Sequence, residues 1–349
     1  MIDIDLLRKI CELPGAPGFE EPIRQFVIQQ IEGLVDSYHI DSLGSLIARR
    51  QGQQPGTVLV AAHLDEISFI TTHIDDDGFL RIHPLGGFDP KTLTAQRVIV
   101  HGRKDLIGVM GSKPIHIMKP EERNKAPQMQ DYFVDLGLPK SEVEKWVSVG
   151  DPITRERELI EVGECVNSKS IDNRVSVYIL VEALRELKDS PLPYDLVAAF
   201  TVQEEVGLRG AMSVAHQIDP DFGIALDTTI AFDVPGAQPH EMVTRLGRGA
   251  AIKIMDGSVI SDSRMVAYLK DLATRHEIPW QAEVLPAGGT DTAALQRYGK
   301  RGAISGAISV PTRHIHSVIE MAHKRDIRNA IDLLKLALLN LDKWNWERG

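Results

Sequence analysis

The sequence predicts an α/β fold, a mixed and mostly parallel sheet flanked by helices, interrupted by a small β-rich insertion. Three observations carry this expectation. Continuous apolar runs such as TVLVAA at 57–62, and the run that opens DLVAAFTVQEE at 195–205, lack the alternation of a half-wetted strand and suit strands buried on both faces. Runs of that kind alternate with long helical patterns up to residue 66 and again after 163, which is the rhythm of an α/β domain. Between 67 and 162 the pattern changes to short, part-alternating segments divided by turn signals such as Asp75-Asp76-Asp77-Gly78 and Gly86-Gly87.

The elements follow in order. Ile4–Glu12 reads as a short helix closed by the Pro14, Gly15, Pro17, Gly18 cluster. Residues 20–35 carry helical periodicity through Ile23, Phe26, Val27, Ile31 and Leu34, with Pro22 tolerated in the first turn. Short strands at 37–41 and 46–50 turn at Gly44, and the buried strand 57–62 runs straight into His63-Leu64-Asp65-Glu66. Within the insertion, strands are expected at 67–74, 79–83, 97–101 and 107–110, with a helix at 140–146. The polar stretch 119–130, KPEERNKAPQMQ, reads as an exposed loop. After Cys165 come a helix at 172–188, the strand before Glu204, a helix near 208–216 and a strand at 222–226 ending in Asp227. Then follow a strand at 251–255, a helix at 262–276, a strand at 280–284, a helix at 291–298 and a strand at 303–310 leading to His314 and His316. A terminal helix closes the chain over about 324–344.

Length and composition narrow the function. At 349 residues the chain has room for one large α/β domain or two unequal ones. The formal charge of -10 argues against nucleic-acid and anionic-membrane partners. Cys11 and Cys165 form no disulfide framework and suit a reducing cytoplasm. The amino-terminal MIDIDLLRKICELPG lacks the basic and apolar regions of a signal peptide, and no apolar run reaches the ~18 residues that span a bilayer. A soluble cytoplasmic protein is expected.

The chemistry gathers where buried strands end and helices begin: His63, Asp65, Asp172, Glu204, Glu205, Asp227 and His316. In open α/β sheets the reacting groups collect beyond the carboxyl ends of the strands. An isolated Glu-Glu pair is ordinarily a solvated turn, and His-x-Asp alone is a weak signal. The coincidence of several strand ends is what makes the set informative. Imidazole with carboxylate suits zinc, cobalt or manganese better than calcium or magnesium. Two histidines and three carboxylates exceed one tetrahedral catalytic zinc with an open position and match a metal pair sharing a bridging carboxylate. Two divalent ions also balance the four negative charges of Asp172, Glu204, Glu205 and Asp227, which would otherwise repel one another. His63 and Asp65, two apart on an extended backbone, project to one side, so the carboxylate can accept from the ring nitrogen turned away from a metal. Spacing leaves open whether His314 or His316 is the ligand.

Six segments, AAHLDEISFI, SKSIDNR, FTVQEEVGLRGA, ALDTT with DVPG after it, GGTDTAA and VPTRHIHSVIE, occur in the order seen in the tetrahedral (TET) aminopeptidases. The chain resembles their glutamyl-aminopeptidase/deblocking-aminopeptidase group of dinuclear metallopeptidases over nearly its whole length. The resemblance implies a zinc-peptidase-like catalytic domain formed by 1–66 and 163–349. It also implies an inserted PDZ-like β-barrel at 67–162 used for dimerisation, with dimers building a tetrahedral dodecamer. By the same resemblance His63 and Asp227 bind one metal, Glu205 and His316 the other, and Asp172 bridges them. Glu204 is then the general base and Asp65 orients His63. Two divalent ions per subunit are implied, zinc or else cobalt or manganese. The implied reaction is hydrolysis of an N-terminal peptide bond by a metal-activated hydroxide, Glu204 taking the proton and returning it to the leaving amine. Two other readings stand beside it: a dinuclear hydrolase of the aminoacylase or deacylase kind on the same scaffold, and a non-catalytic assembly protein whose metal only holds the fold. The Gly288-Gly289-Thr290-Asp291 turn is either a helix cap or, by the resemblance, part of the substrate-pocket wall. His39, His73, His83, His101, His116, His216, His240 and His276 are read as structural or surface residues.

Overall fold

The computed structural model describes residues 1–347. Its frame is a mixed sheet of 11 strands. Four strands at its centre run parallel, in the order Asp195–Thr201, Thr57–His63, Phe222–Ile230 and Ile304–Arg313. Leu46–Arg50 and then Ser37–Ile40 extend one side antiparallel, while Glu320–His323, Cys165–Ser168 and Ile160–Val162 extend the other. Ala250–Met255 and Trp280–Val284 branch from Ile304–Arg313.

The two-residue period of a strand explains why the central runs are apolar throughout. Val58, Val60 and Ala62, with Leu196, Ala198 and Phe200, face one core, covered by the helices Ile4–Glu12, Glu21–Ile31, Ile171–Glu186, Ser263–Arg275 and Lys324–Asn340. The alternate residues Leu59, Ala61, Val197 and Ala199 face a second core under Arg209–Ile218 and Thr292–Arg297. Truncating a fully buried side chain such as Phe200 to alanine costs roughly 3–5 kcal/mol.

Residues 68–155 supply a closed antiparallel barrel of six strands: Ser68–Ile74, Leu80–Leu85, Arg97–His101, Asp105–Gly111, Phe133–Asp135 and Pro152–Arg155. It has its own core, with Phe69, Leu80, Val98, Val100, Val134 and Ile153. Closure leaves no strand edge unpaired. A mixed sheet flanked by helices, parallel at its centre, with an inserted barrel is the architecture the sequence predicts; the added outer strands make antiparallel pairings the more numerous.

The differences have local causes. The helix expected over 20–35 stops at Ile31, before Gly33 at φ +71. The 119–130 stretch holds a short helix at Pro120–Arg123 and the start of a 3-10 turn at Met129–Asp131; Glu122 accepts from the amide of Lys119 and Asp131 from that of Gln128. The strand expected to end at 226 continues to Ile230, so Asp227 sits inside it. Phe133–Asp135, Pro152–Arg155, Ile160–Val162, Cys165–Ser168 and Glu320–His323 are strands of three or four residues that carry no apolar run of their own. Pairing makes them strands: Ile160–Val162 forms a hairpin with Cys165–Ser168, and the others pair with strands farther along the chain.

Candidate metal centre

Sheet register assembles the centre of the cluster. His63 is the last residue of its strand and lies opposite Thr201. On the other side Ala61 pairs with Ala225, so Asp227, two residues further on, comes level with His63. The remaining groups hang from chain reversals. Asp172 follows Ser170 at φ 52, Glu204 and Glu205 follow Gln203 at φ 55, and His316 itself has φ 61. Left-handed backbone at a residue with a Cβ costs roughly 1–2 kcal/mol, and such outliers concentrate at functional sites.

All five candidate ligands converge. One oxygen of Asp172, Oδ1, lies 3.4 Å from His63 Nε2, and the other, Oδ2, lies 3.3 Å from His316 Nε2. Asp227 Oδ1 is 3.9 Å from His63 Nε2, and Glu205 Oε2 is 3.5 Å from His316 Nε2. The ligand atoms of His63, Asp172 and Asp227 fall within 4.8 Å of one another, as do those of Asp172, Glu205 and His316. Glu204 reaches the same place, with Oε2 at 3.8 Å from His63 Nε2, and forms a third grouping with His63 and Glu205. His314 is exposed, so of the two neighbouring histidines it is His316 that faces the cluster.

Four buried carboxyls in one place disturb one another's protonation. Burial pushes Glu204 well above the usual carboxylate range; Asp227, Glu205 and Asp291 add to the push and His63 opposes it. Burial likewise raises Asp227 well above its ordinary value, and Glu205 to about 7. Burial also works to raise Asp172, but His316 and His63 outweigh it and hold that carboxyl below the usual range. Burial lowers His316, yet Glu205 and Asp172 bring it to about 10, and His63 is raised well above normal by Glu204, Asp172 and Asp65 against the same penalty. Asp172 Oδ1 and Glu205 Oε1 are buried without a hydrogen-bond partner. Unpaired carboxylate oxygens facing two imidazole nitrogens make a donor set that fits divalent zinc, cobalt or manganese.

Both imidazoles are oriented from behind. His63 Nδ1 donates to the main-chain carbonyl of Asp65 at 3.1 Å, and His316 Nδ1 donates to the carbonyl of Gly87 at 2.8 Å, which turns each Nε2 toward the cluster. The expected carboxylate–imidazole hydrogen bond of Asp65 is thus made by its carbonyl. The carboxylate stands 3.6 Å from the ring nitrogen, beyond hydrogen-bond length, and accepts instead from the amides of Glu204 and Glu205. Gly87 belongs to the insertion. The preceding Gly86 has φ +106, and a Cβ there would fall 2.5 Å from Ile67, so that turn requires glycine to approach the cluster.

The cluster opens into a cleft of about 440 Å³ whose far wall includes Thr228, Lys253, Asp256, Leu285 and the Gly288–Thr290 turn. Asp291 makes no side-chain cap to the following helix and accepts from Thr201 Oγ1 at 2.6 Å, while Thr290 Oγ1 donates to Asp256. Lys253, buried, pairs with Glu283 and Asp256. Sequence reading missed Lys253, Asp256 and Glu283, because a lysine inside AAIKIM reads as a strand's solvent side. A second hollow, of about 670 Å³, lies at the amino ends of the same parallel strands, beside Gly56, Asp221 and Ile304. Its charged residues are matched in pairs such as Arg264–Asp262 and Arg301–Asp221. Among the described residues, every grouping able to hold a metal ion lies in the cluster around Asp172.

A family model described as M42 glutamyl aminopeptidase matches residues 44–333. A putative aminopeptidase of Acetivibrio thermocellus is 39% identical over 335 residues, covering 96% of this chain and 98% of that protein. Among solved structures, a TET aminopeptidase from a marine sediment archaeon of the Thaumarchaeota superposes with a TM-score of 0.94 at 34% identity, covering 97% of this chain and 96% of that one. The TET1 peptidase of Pyrococcus horikoshii, described as able to assemble into a tetrahedron or a large octahedral shell, superposes with a TM-score of 0.88 at 31% identity, covering 96% and 99%.

Proposed function

The chain belongs to the M42 glutamyl aminopeptidase family and is a peptide hydrolase, and on that premise we propose that it removes N-terminal residues from peptides with two divalent cations bound around Asp172. The observation that carries this reading is the placement of the two Asp172 oxygens, each within 3.4 Å of a different imidazole. His63 and Asp227 would hold one cation and Glu205 and His316 the other, with Asp172 shared between them. Zinc fits the donor set, as do cobalt and manganese. When bound, the pair supplies Lewis acidity and an acidic water.

Glu204 takes a proton from the attacking water and returns it to the leaving amine. It is suited to this because it lines the cleft beside His63, and because its main chain is held by Asp65. The cleft wall formed by Gly288–Thr290 excludes water from one side of a bound peptide.

Residues 1–66 and 163–349 form the catalytic domain in this reading, and 67–162 a dimerisation domain. Support for the latter comes from the separate core of the barrel and from Ile107, Val109, Ile115 and Ile117, all exposed on it. Dimers then build a hollow dodecamer, as the tetrahedral assembly of the Pyrococcus horikoshii protein suggests. The protein works in the cytoplasm; no helix among the described residues is long and apolar enough to cross a membrane.

The test is to strip the protein with chelator and assay a panel of aminoacyl chromogenic substrates after adding back zinc, cobalt or manganese. Activity that disappears and returns, on substrates with a free α-amine only, is the expected result. Turnover of N-acylated amino acids instead would favour a deacylase. Melting on chelation with no activity on any substrate would favour a metal that only holds the fold.

A further inference from the structure

One buried carboxylate outside the candidate ligand set touches two of its members. Glu320 opens the strand Glu320–His323 and is fully buried. Its Oε2 accepts from the backbone amide of Asp172 at 2.9 Å, and its Oε1 accepts from the backbone amide of His316 at 2.8 Å. These amides belong to segments 144 residues apart, and both sit in irregular backbone, Asp172 at φ -77 and ψ 108 and His316 at φ 61. Neither amide has a regular ladder partner to hold it. A single carboxylate therefore sets the spacing between the carboxylate that faces both imidazoles and the second of those imidazoles.

The insertion reaches His316 as well, through the Gly87 carbonyl. Arg155, at the end of the barrel strand Pro152–Arg155, is 2% exposed, and its Nε and Nη1 have no hydrogen-bond partner. Its guanidinium lies 5.7 Å above the ring of Phe88, next to the Gly87 carbonyl that receives His316 Nδ1–H.

We propose that Glu320 is a positioning residue for the metal centre, a two-armed clamp that fixes the backbone of Asp172 and that of His316 relative to each other. The proposal rests on the reading of Asp172 as the bridge and His316 as a ligand. The insertion then serves the cluster directly, through the Gly87 carbonyl that receives His316 Nδ1–H.

Glu320→Gln tests it. A carboxamide keeps one acceptor oxygen and turns an NH2 toward the other amide, so one arm of the clamp is lost with little change in volume. Wild type and variant are stripped of metal and titrated with cobalt(II), following both calorimetry and the visible spectrum. Wild type takes up two ions per chain. E320Q binds the ion held by Asp172, Glu205 and His316 roughly 10–100-fold more weakly, the range for losing a hydrogen-bonding group behind a metal ligand, and changes its spectrum. At saturating metal, kcat falls while KM stays close to wild type. Should E320Q not fold, Glu320→Asp takes its place: its carboxylate stops one methylene short of both amides, so cobalt affinity must again fall. Wild-type affinity and spectrum in either folded variant overturn the clamp. A wild-type chain that binds fewer than two ions overturns the two-metal reading itself, and the clamp with it.

Discussion

The backbone amide of Glu204 donates to Asp65 Oδ1 at 3.0 Å, and the next amide, that of Glu205, donates to Oδ2 of the same carboxylate at 3.1 Å. Asp65 and the Glu-Glu turn lie 139 residues apart, on the ends of adjacent parallel strands. The carbonyl of Asp65 meanwhile orients His63. One short residue thus fixes the proposed base, one proposed ligand by its main chain and another by its ring. Replacing it with Asn leaves one amide facing an NH2 group. Asp65→Asn should lower kcat roughly 10–100-fold with a smaller change in KM, measured by steady-state kinetics at saturating metal.

Asp172 is the one carboxylate whose two oxygens face both imidazoles. Asp172→Asn should therefore weaken both metal sites, whereas Asp227→Asn should weaken mainly the site of His63. Metal content after gel filtration, read by atomic emission, separates the two. Equal and full occupancy in Asp172→Asn would remove the bridging role.

Glu204 is expected to matter for proton transfer and not for metal retention. Glu204→Gln should hold its full metal content and lose at least about 100-fold in kcat, the lower range for a general base. Near-normal turnover would end the assignment.

Glu20 offers a pH dependence outside the cluster. Burial, with the charge of Asp65 adding to it, pushes this carboxyl up to about 7, although Oε1 accepts from the amides of Gly18 and Gln203. An acid whose folded pKa exceeds its unfolded value of about 4.5 stabilises the fold most when protonated. Its contribution is full below about pH 4.5, declines as pH rises to about 7, and is constant above that. Glu20→Gln keeps the acceptor oxygen and removes the titration. Urea unfolding between pH 5 and 8 should show the wild type losing up to about 3 kcal/mol more than the variant across that window.

Arg174 is fully buried and donates to the carbonyls of Leu64, Ile10 and Leu13, which ties the first helix to the end of the strand carrying His63. Arg174→Met leaves three carbonyls unpaired and Glu66 with one cation fewer. A loss of about 3–5 kcal/mol is expected, read as a shift of the urea midpoint. Stability within about 1 kcal/mol of wild type would contradict this account.

Much of the architecture was legible because it depends on local pattern. Double-sided burial of TVLVAA and DLVAAF requires apolar residues at every position, so those strands announce themselves, as does the switch to short alternating segments at 67. The candidate ligands were legible because metal chemistry restricts residue type: buried strands ending in His, Asp and Glu have few other uses. Short strands such as Glu320–His323 were not legible, since three or four residues carry too little pattern to show a period.

Residue types and their order along the chain are properties of the sequence alone, and they were enough to identify a buried-strand scaffold with histidines and carboxylates at its carboxyl edge. Direction and distance are not. Asp227 comes level with His63 only through the register of two strands 164 residues apart, His316 rather than His314 faces the cluster because of left-handed turns, and Glu320 meets both Asp172 and His316 only once the sheet has closed between them. Hydrogen-bond registry between remote segments sets those positions, and no local pattern encodes it.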